Sequence, residues 1–290
     1  MSCNFSITND SYIYTHLACG LLSLLGSLFI IIFCIYLKAL RVYSFKLIFY
    51  FSISQLLSSL EFIFPVTIQN SSQIACSLFG FLTNSSQMIS VLWMTCIANC
   101  IRQAFVGHTI FYEKHEIYWA IFALLVIPLL NIIPAITESY AAVNNSCTYN
   151  QKTAGTLERI FIFFVPVWGM LIYSIGCYVQ IFLRIKKTEV SYVFKSIIKK
   201  LMFYPMLMSF NVILYTFERL PIEIDECNSN IIWFIVRIIV SLNGFFNFIV
   251  FVCTPGTIKK MHDEAKNESI DELADLSSSL PIYYESTSKI

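Results

Sequence analysis

Glu61 stands in the run SQLLSSLEFIF and Arg237 in the run NIIWFIVRIIV, so each puts a charge into a stretch otherwise built to avoid water. An isolated charge in such surroundings is expensive, so the two are expected to pair or to face a water-filled cavity. At helical spacing Ser54, Ser58, Glu61 and Pro65 share one face, and Arg237, Ser241 and Gly244 share another. Both charges lie about seven residues from the same end of their runs, roughly 10 Å deep at 1.5 Å per residue. The chemistry on offer is charge recognition rather than catalysis. A ligand-facing or state-locking ion pair and a static structural pair both fit.

A second set runs along one stretch. Asn84, Gln87, Val91, Thr95, Ala98 and Arg102 follow at steps of three and four, which aligns them on one helical face. A helix bathed in lipid would not keep that stripe, because bare polar groups in hydrocarbon are costly. The segment Cys76–Val106 is therefore expected to be the central helix of a bundle, with Asn84, Gln87 and Ser241 near a ligand cavity. Other chemistries find no support. No glycine-rich phosphate loop, H-E-x-x-H or Cys/His cluster with zinc spacing occurs, and the four histidines are scattered. No cofactor, metal, nucleic-acid partner or enzymatic activity is expected.

These residues need long apolar elements to hold them. Hydrophobic residues make up 57% of 290 and charged residues 13%, with a mean hydropathy of +0.69. Soluble domains carry about a quarter charged residues, so this is an integral membrane protein. Seven apolar stretches (Tyr12–Leu37, Phe45–Ile68, Ile74–Val106, Glu116–Thr137, Leu157–Ile185, Ser196–Leu220 and Asn230–Thr254) each reach the roughly 20 residues that span hydrocarbon. The expectation is an all-α seven-transmembrane bundle over 12–254. Residues 1–11 form an extracellular N-terminus, a poor signal-peptide n-region for want of Lys and Arg, and 255–290 a cytoplasmic tail.

Orientation follows from basic residues. With the N-terminus outside, 15 of the 19 Lys and Arg fall on the cytoplasmic side, three (Lys152, Arg159, Arg219) outside, and Arg237 within helix seven. Asn4, Asn9, Asn70 and Asn144 then open N-x-[ST] patterns on the outer side, while matches at Asn84 and Asn267 fall in a helix and in the tail. Most of the ten cysteines lie in apolar runs as small hydrophobes. Cys76 and Cys147 both face the oxidising side and are expected to bridge, pinning a loop over the bundle mouth. Cys3 and Cys227 are also outside and could pair.

Pro166 and Pro205 interrupt helices five and six, and Pro205 near Lys199 and Lys200 is a candidate hinge. On the inner face Arg102, Arg184, Lys186, Lys187, Lys195, Lys199 and Lys200 form a basic surface that suits lipid headgroups and an acidic cytosolic partner alike. Cys253 at the inner edge could carry a palmitoyl group or be buried. The Ser-rich tail offers phosphorylation sites at Ser277, Ser278, Ser279, Ser286, Thr287 and Ser288.

Three stretches carry a family resemblance: Ser90–Ala98 (SVLWMTCIA), Tyr204-Pro205-Met206, and Ser241–Val250 (SLNGFFNFIV). Set in seven helices, with cysteines at helix three and in the second outer loop, the chain resembles a G protein-coupled receptor. It is similar above all to the slime-mould cyclic AMP receptor-like family and its secretin-like relatives. There is no Asp/Glu-Arg-Tyr around Arg102, Phe248 rather than Pro follows Asn247, and helix seven lacks a lysine for a Schiff base. Asn243 stands where the family has Gln. The resemblance implies a plasma-membrane receptor that senses an extracellular ligand and activates a heterotrimeric G protein. A seven-helix transporter or channel-like protein and a non-signalling membrane scaffold are the alternative readings. Acids outnumber bases on the outer side, which does not favour a phosphate ligand.

Overall fold

The computed structural model describes residues 9–36, 43–64, 72–103, 113–143, 146–150, 152–187, 203–219 and 226–253. Asn4, Asn70, Asn144, Cys3, Lys195, Lys199, Lys200 and the Ser-rich tail lie outside the described residues, as does the side chain of Cys227. The chain is an all-α, multi-pass helical bundle with one small hairpin.

Helix α1 spans Asn9–Tyr36 and α2 Tyr43–Ile63. Helix α3, Gln73–Arg102, starts where Ser72 accepts the Ala75 N–H at 3.1 Å, a side-chain cap on an orphan donor. Helix α4 is continuous through Glu113–Ile121, Phe122–Val126 and Ile127–Ile136. Helix α5 runs through Thr153–Glu158, Arg159–Phe164 and Val165–Lys187. Helix α6 covers Phe203–Arg219, α7 Glu226–Ser241 and α8 Asn243–Cys253.

The middle pieces of α4 and α5 are π-helical, and each ends just before a proline. The Ile127 N–H reaches back to Phe122 O and Val165 N–H to Ile160 O, five residues each, directly ahead of Pro128 and Pro166. A proline ring clashes with the carbonyl four residues earlier, and widening the turn relieves it. Pro166 therefore opens a local bulge and leaves the helix running on to Lys187.

Among the described residues Ile13–Tyr36, Lys46–Ile63, Glu116–Ile136 and Thr153–Lys186 are long and apolar enough to cross a membrane. The pair Phe234–Ser241 and Asn243–Cys253, bent by 46°, makes a fifth such span, and α6 has a shorter apolar run, Met206–Phe217. The sequence expects one membrane span over Asn230–Thr254. The structure breaks it at Leu242, beside a glycine that α1 approaches closely. Helix α3 is long enough, at 30 residues, but too polar to qualify by composition. Its polarity is affordable because protein, not lipid, surrounds it. Asn84 and Ser90 have no exposed surface, and Trp93 is 4% exposed. Helices α2, α4, α5 and α6 all pack on α3, whereas α1 packs on α2, α7 and α8.

Strands β1 (Tyr140–Val143) and β2 (Ser146–Tyr149) pair antiparallel, with Ala142 opposite Cys147. The hairpin is fastened to the start of α3 in three ways. Cys147 is disulfide-bonded to Cys76. Gln73 Nε2 donates to Tyr140 O at 2.8 Å. Gly80 leaves room for the Tyr140 ring, which a Cβ there would meet at 2.7 Å. Glu138, at φ 53°, makes the left-handed turn from α4 into β1.

Candidate functional site

Polar side chains along α3 form three levels between its Cys76 end and its Arg102 end. Near the Cys76 end stand Glu61, partly buried, and Arg237, 8% exposed. His16 of α1 sits between their neighbours, its ring centroid 6.2 Å from Phe62 and 6.1 Å from Phe234. The scattered-histidine reading of the sequence missed it. A buried imidazole in an apolar run carries the same desolvation cost that singled out Glu61.

The middle level is a mesh of hydroxyls and amides. Ser58 accepts from Gln87 Nε2 at 2.8 Å, and Ser90 donates to Ser54 at 2.9 Å, so the serine stripe of α2 docks on α3. Asn243, first residue of α8, donates to Gln55 Oε1 at 2.9 Å and accepts from Asn211 Nδ2 at 3.0 Å. That amide chain joins α2, α8 and α6. Two expected residues turn away from it: Asn84 donates to Gly80 O at 2.7 Å, and Ser241 to Ile238 O at 2.9 Å, both within their own helices. Gln55 and Asn211, neither singled out by the sequence, are polar residues in apolar runs that the same cost argument would have found.

Beside this mesh lies a cavity lined by Gln87 and Val91 of α3, Phe163 and Val167 of α5, Asn211 and Tyr215 of α6, Val240, and Asn243. It measures about 10 Å³, room for roughly one water.

At the Arg102 end, α3 and α5 are stitched together. Ser174 donates to Thr95 at 3.1 Å, and Tyr173 donates to Asn99 Oδ1 at 3.0 Å. Arg102 donates to Asn99 Oδ1 at 3.2 Å and reaches Gln180 Oε1 at 3.5 Å. Arg184, exposed, lies one turn beyond Gln180. Across the bundle Lys46 pairs with Glu116 at 2.6 Å, Tyr50 donates to the same oxygen at 3.1 Å, and the Tyr50 ring stacks on Trp93 at 4.8 Å. Pro205 is the third residue of the described part of α6.

No family model matches the sequence. A protein named G-protein coupled receptor 1 from Arabidopsis thaliana is 23% identical over 258 residues, 83% of this chain and 78% of its own. Cyclic AMP receptor-like protein A from Dictyostelium discoideum is 27% identical over 246 residues, 82% of this chain; the chain spans 63% of that relative's length. Among solved structures, squid rhodopsin superposes with a TM-score of 0.64 at 15% identity, covering 90% of this chain and 82% of rhodopsin. The fold resembles that of the G protein-coupled receptors.

At that level of identity the rhodopsin likeness concerns the backbone alone. Among the described residues no group of three or more His, Cys, Asp or Glu is placed to hold a metal ion.

Proposed function

We propose that the chain is a seven-helix cell-surface receptor, with α1 to α6 and the bent α7–α8 pair as its spans and the N-terminus outside. It senses an extracellular ligand and activates a heterotrimeric G protein. The observation that carries the reading is the continuity of polar contacts along α3. They pass from the disulfide-held hairpin, through the amide mesh and its cavity, to Arg102. The sequence likeness to a receptor named for cyclic AMP and to a receptor named for G proteins supports the same class.

In this reading a ligand entering from the hairpin side reaches Gln87, Asn211 and Asn243, which belong to three different helices. Better contact in one arrangement of α3, α6 and α8 shifts a pre-existing equilibrium toward it, and only differential contact can do so. The change reaches the opposite end through Thr95–Ser174 and Asn99–Tyr173, which fix α3 against α5. There Arg102, Arg184, Lys195, Lys199 and Lys200 present the G protein surface, with Pro205 as the hinge of α6. Glu61 and Arg237 set the resting state.

The test is nucleotide exchange on co-expressed heterotrimeric G proteins in plasma membranes, screened against extracellular ligands. A ligand that stimulates exchange in the wild-type chain, and not in Gln87→Leu at equal surface level, is the expected result. A complete ligand and G protein panel that leaves exchange at the vector-only rate would remove the signalling reading.

A further inference from the structure

The hydrogen-bond inventory of the Asn211 cavity has a fixed polarity. Asn211 Nδ2 donates to Leu207 O of its own helix at 3.0 Å and to Asn243 Oδ1 at 3.0 Å, which uses both of its protons. Because a backbone carbonyl can only accept, Leu207 fixes which way the Asn211 amide faces. Asn243 must then present its oxygen to Asn211 and its nitrogen elsewhere, to Gln55 Oε1 at 2.9 Å and Met208 Sδ at 3.7 Å. One carbonyl thus sets the direction of the whole amide chain. Asn211 Oδ1 is left as an acceptor, buried in a residue 5% exposed, with no hydrogen-bond partner among the described residues.

Thr216, also lining the cavity, spends its proton on Val212 O at 2.7 Å and offers only lone pairs. Gln87 turns its amide nitrogen to Ser58. The remaining surface is apolar (Val91, Phe163, Val167, Met208, Val212 and Val240) apart from the Tyr215 hydroxyl, and none of the described lining residues is a carboxylate, lysine, arginine or histidine. Arg237 lies one turn before Val240 on α7 and is not part of the lining.

We propose that this cavity receives the hydroxyl of an uncharged, largely apolar ligand, which donates to Asn211 Oδ1 and Thr216 Oγ1 in alternative poses. The proposal rests on the receptor reading above and gives it a ligand class. A buried acceptor left unmade costs free energy, so a donor is selected over an isostere without one. A desolvated cation and a phosphate alike would find no counter-charge in the lining. In the conformation described the cavity admits about one water, and the ligand hydroxyl takes the place of that water as the walls part.

The experiment uses the full chain in lipid nanodiscs and reads Tm with four probes that share one ring: cyclohexanol, methoxycyclohexane, cyclohexylammonium and cyclohexyl phosphate. Cyclohexanol should raise Tm saturably, with the ether weaker by at least about tenfold in half-saturating concentration. The two charged probes should give no shift. Thr216→Val, which leaves the amide chain intact, and Asn211→Leu should each weaken the cyclohexanol effect, so the test survives if Asn211→Leu does not fold. An ether as effective as the alcohol, or an alcohol effect unchanged in Thr216→Val, overturns the proposal. A phosphate effect that Thr216→Val abolishes overturns the ligand class and leaves the receptor reading standing. If no probe acts through these residues, the cavity holds a structural water only, and the receptor reading then needs a different ligand site.

Discussion

Gly244 donates its N–H to Ser23 Oγ at 2.9 Å, so a side chain of α1 closes the break between α7 and α8. The bend strands the first N–H groups of α8, since no preceding turn supplies acceptors in line. A glycine is required at the contact. A Cβ on Gly244 would lie 2.5 Å from the hydroxyls of both Ser23 and Ser27, and Gly26 faces the carbonyl of Gly244 from the other side. Gly244→Ala is expected to cost about 1–3 kcal/mol by overpacking. Ser23→Ala should cost about 1 kcal/mol through the lost bond alone. Thermal melts of both variants check the order, and equal effects would mean that the close approach is relieved at no cost.

The bridge between Cys76 and Cys147 fastens the hairpin over α3. Cys76→Ser or Cys147→Ser should destabilise the chain by about 2–5 kcal/mol and cut surface expression. Peptide mapping without reduction should recover the linked pair from surface protein. Recovery of both as free thiols would dispose of the bridge.

Gly80 meets the Tyr140 ring in the same region. Gly80→Ala should displace the hairpin and destabilise the chain by about 1–3 kcal/mol through overpacking, read as a lower Tm. Tyr140→Phe, which keeps the ring and gives up the 3.4 Å hydrogen bond to Asn131 O, should cost about 1 kcal/mol and leave the hairpin in place.

Glu61 and Arg237 are proposed to act together near His16. Removing one partner of a buried pair costs about 3–5 kcal/mol, because the other is left uncompensated. Glu61→Gln and Arg237→Gln alone should therefore lower Tm or raise basal signalling, and the double variant should recover much of the loss. Measuring all four members of the cycle decides it, since additivity within about 0.5 kcal/mol means independent residues. A ligand-contacting Arg237 would instead lose response without losing stability.

The basic surface is tested by charge. Neutralising Lys195, Lys199 and Lys200 together should abolish exchange on the G protein while ligand affinity stays nearly intact. Unchanged exchange at matched expression would leave these lysines as anchors to anionic lipid. By contrast Lys46, half exposed and paired to Glu116, should matter little. Lys46→Gln is expected to cost under about 1 kcal/mol, less at high salt.

Composition alone determined the membrane class, and spacing alone determined that α3 is enclosed. A buried polar residue carries its cost wherever it sits, so Asn84, Gln87 and Thr95 on one stripe require protein around them before any contact is known. Cys76 and Cys147 were legible for a similar reason, since both fall on one side of the bundle. Periodicity fixes which face of a helix a residue occupies, but not the depth or rotation at which that face meets its neighbour. Tertiary structure therefore decided that Asn243 finds Gln55 across 188 residues of chain, while Ser241 two positions earlier bonds its own helix. It decided, too, that the last apolar stretch bends at Leu242. Hydropathy is continuous through that residue, and only the approach of Ser23 and Ser27 to Gly244 makes the break worth forming.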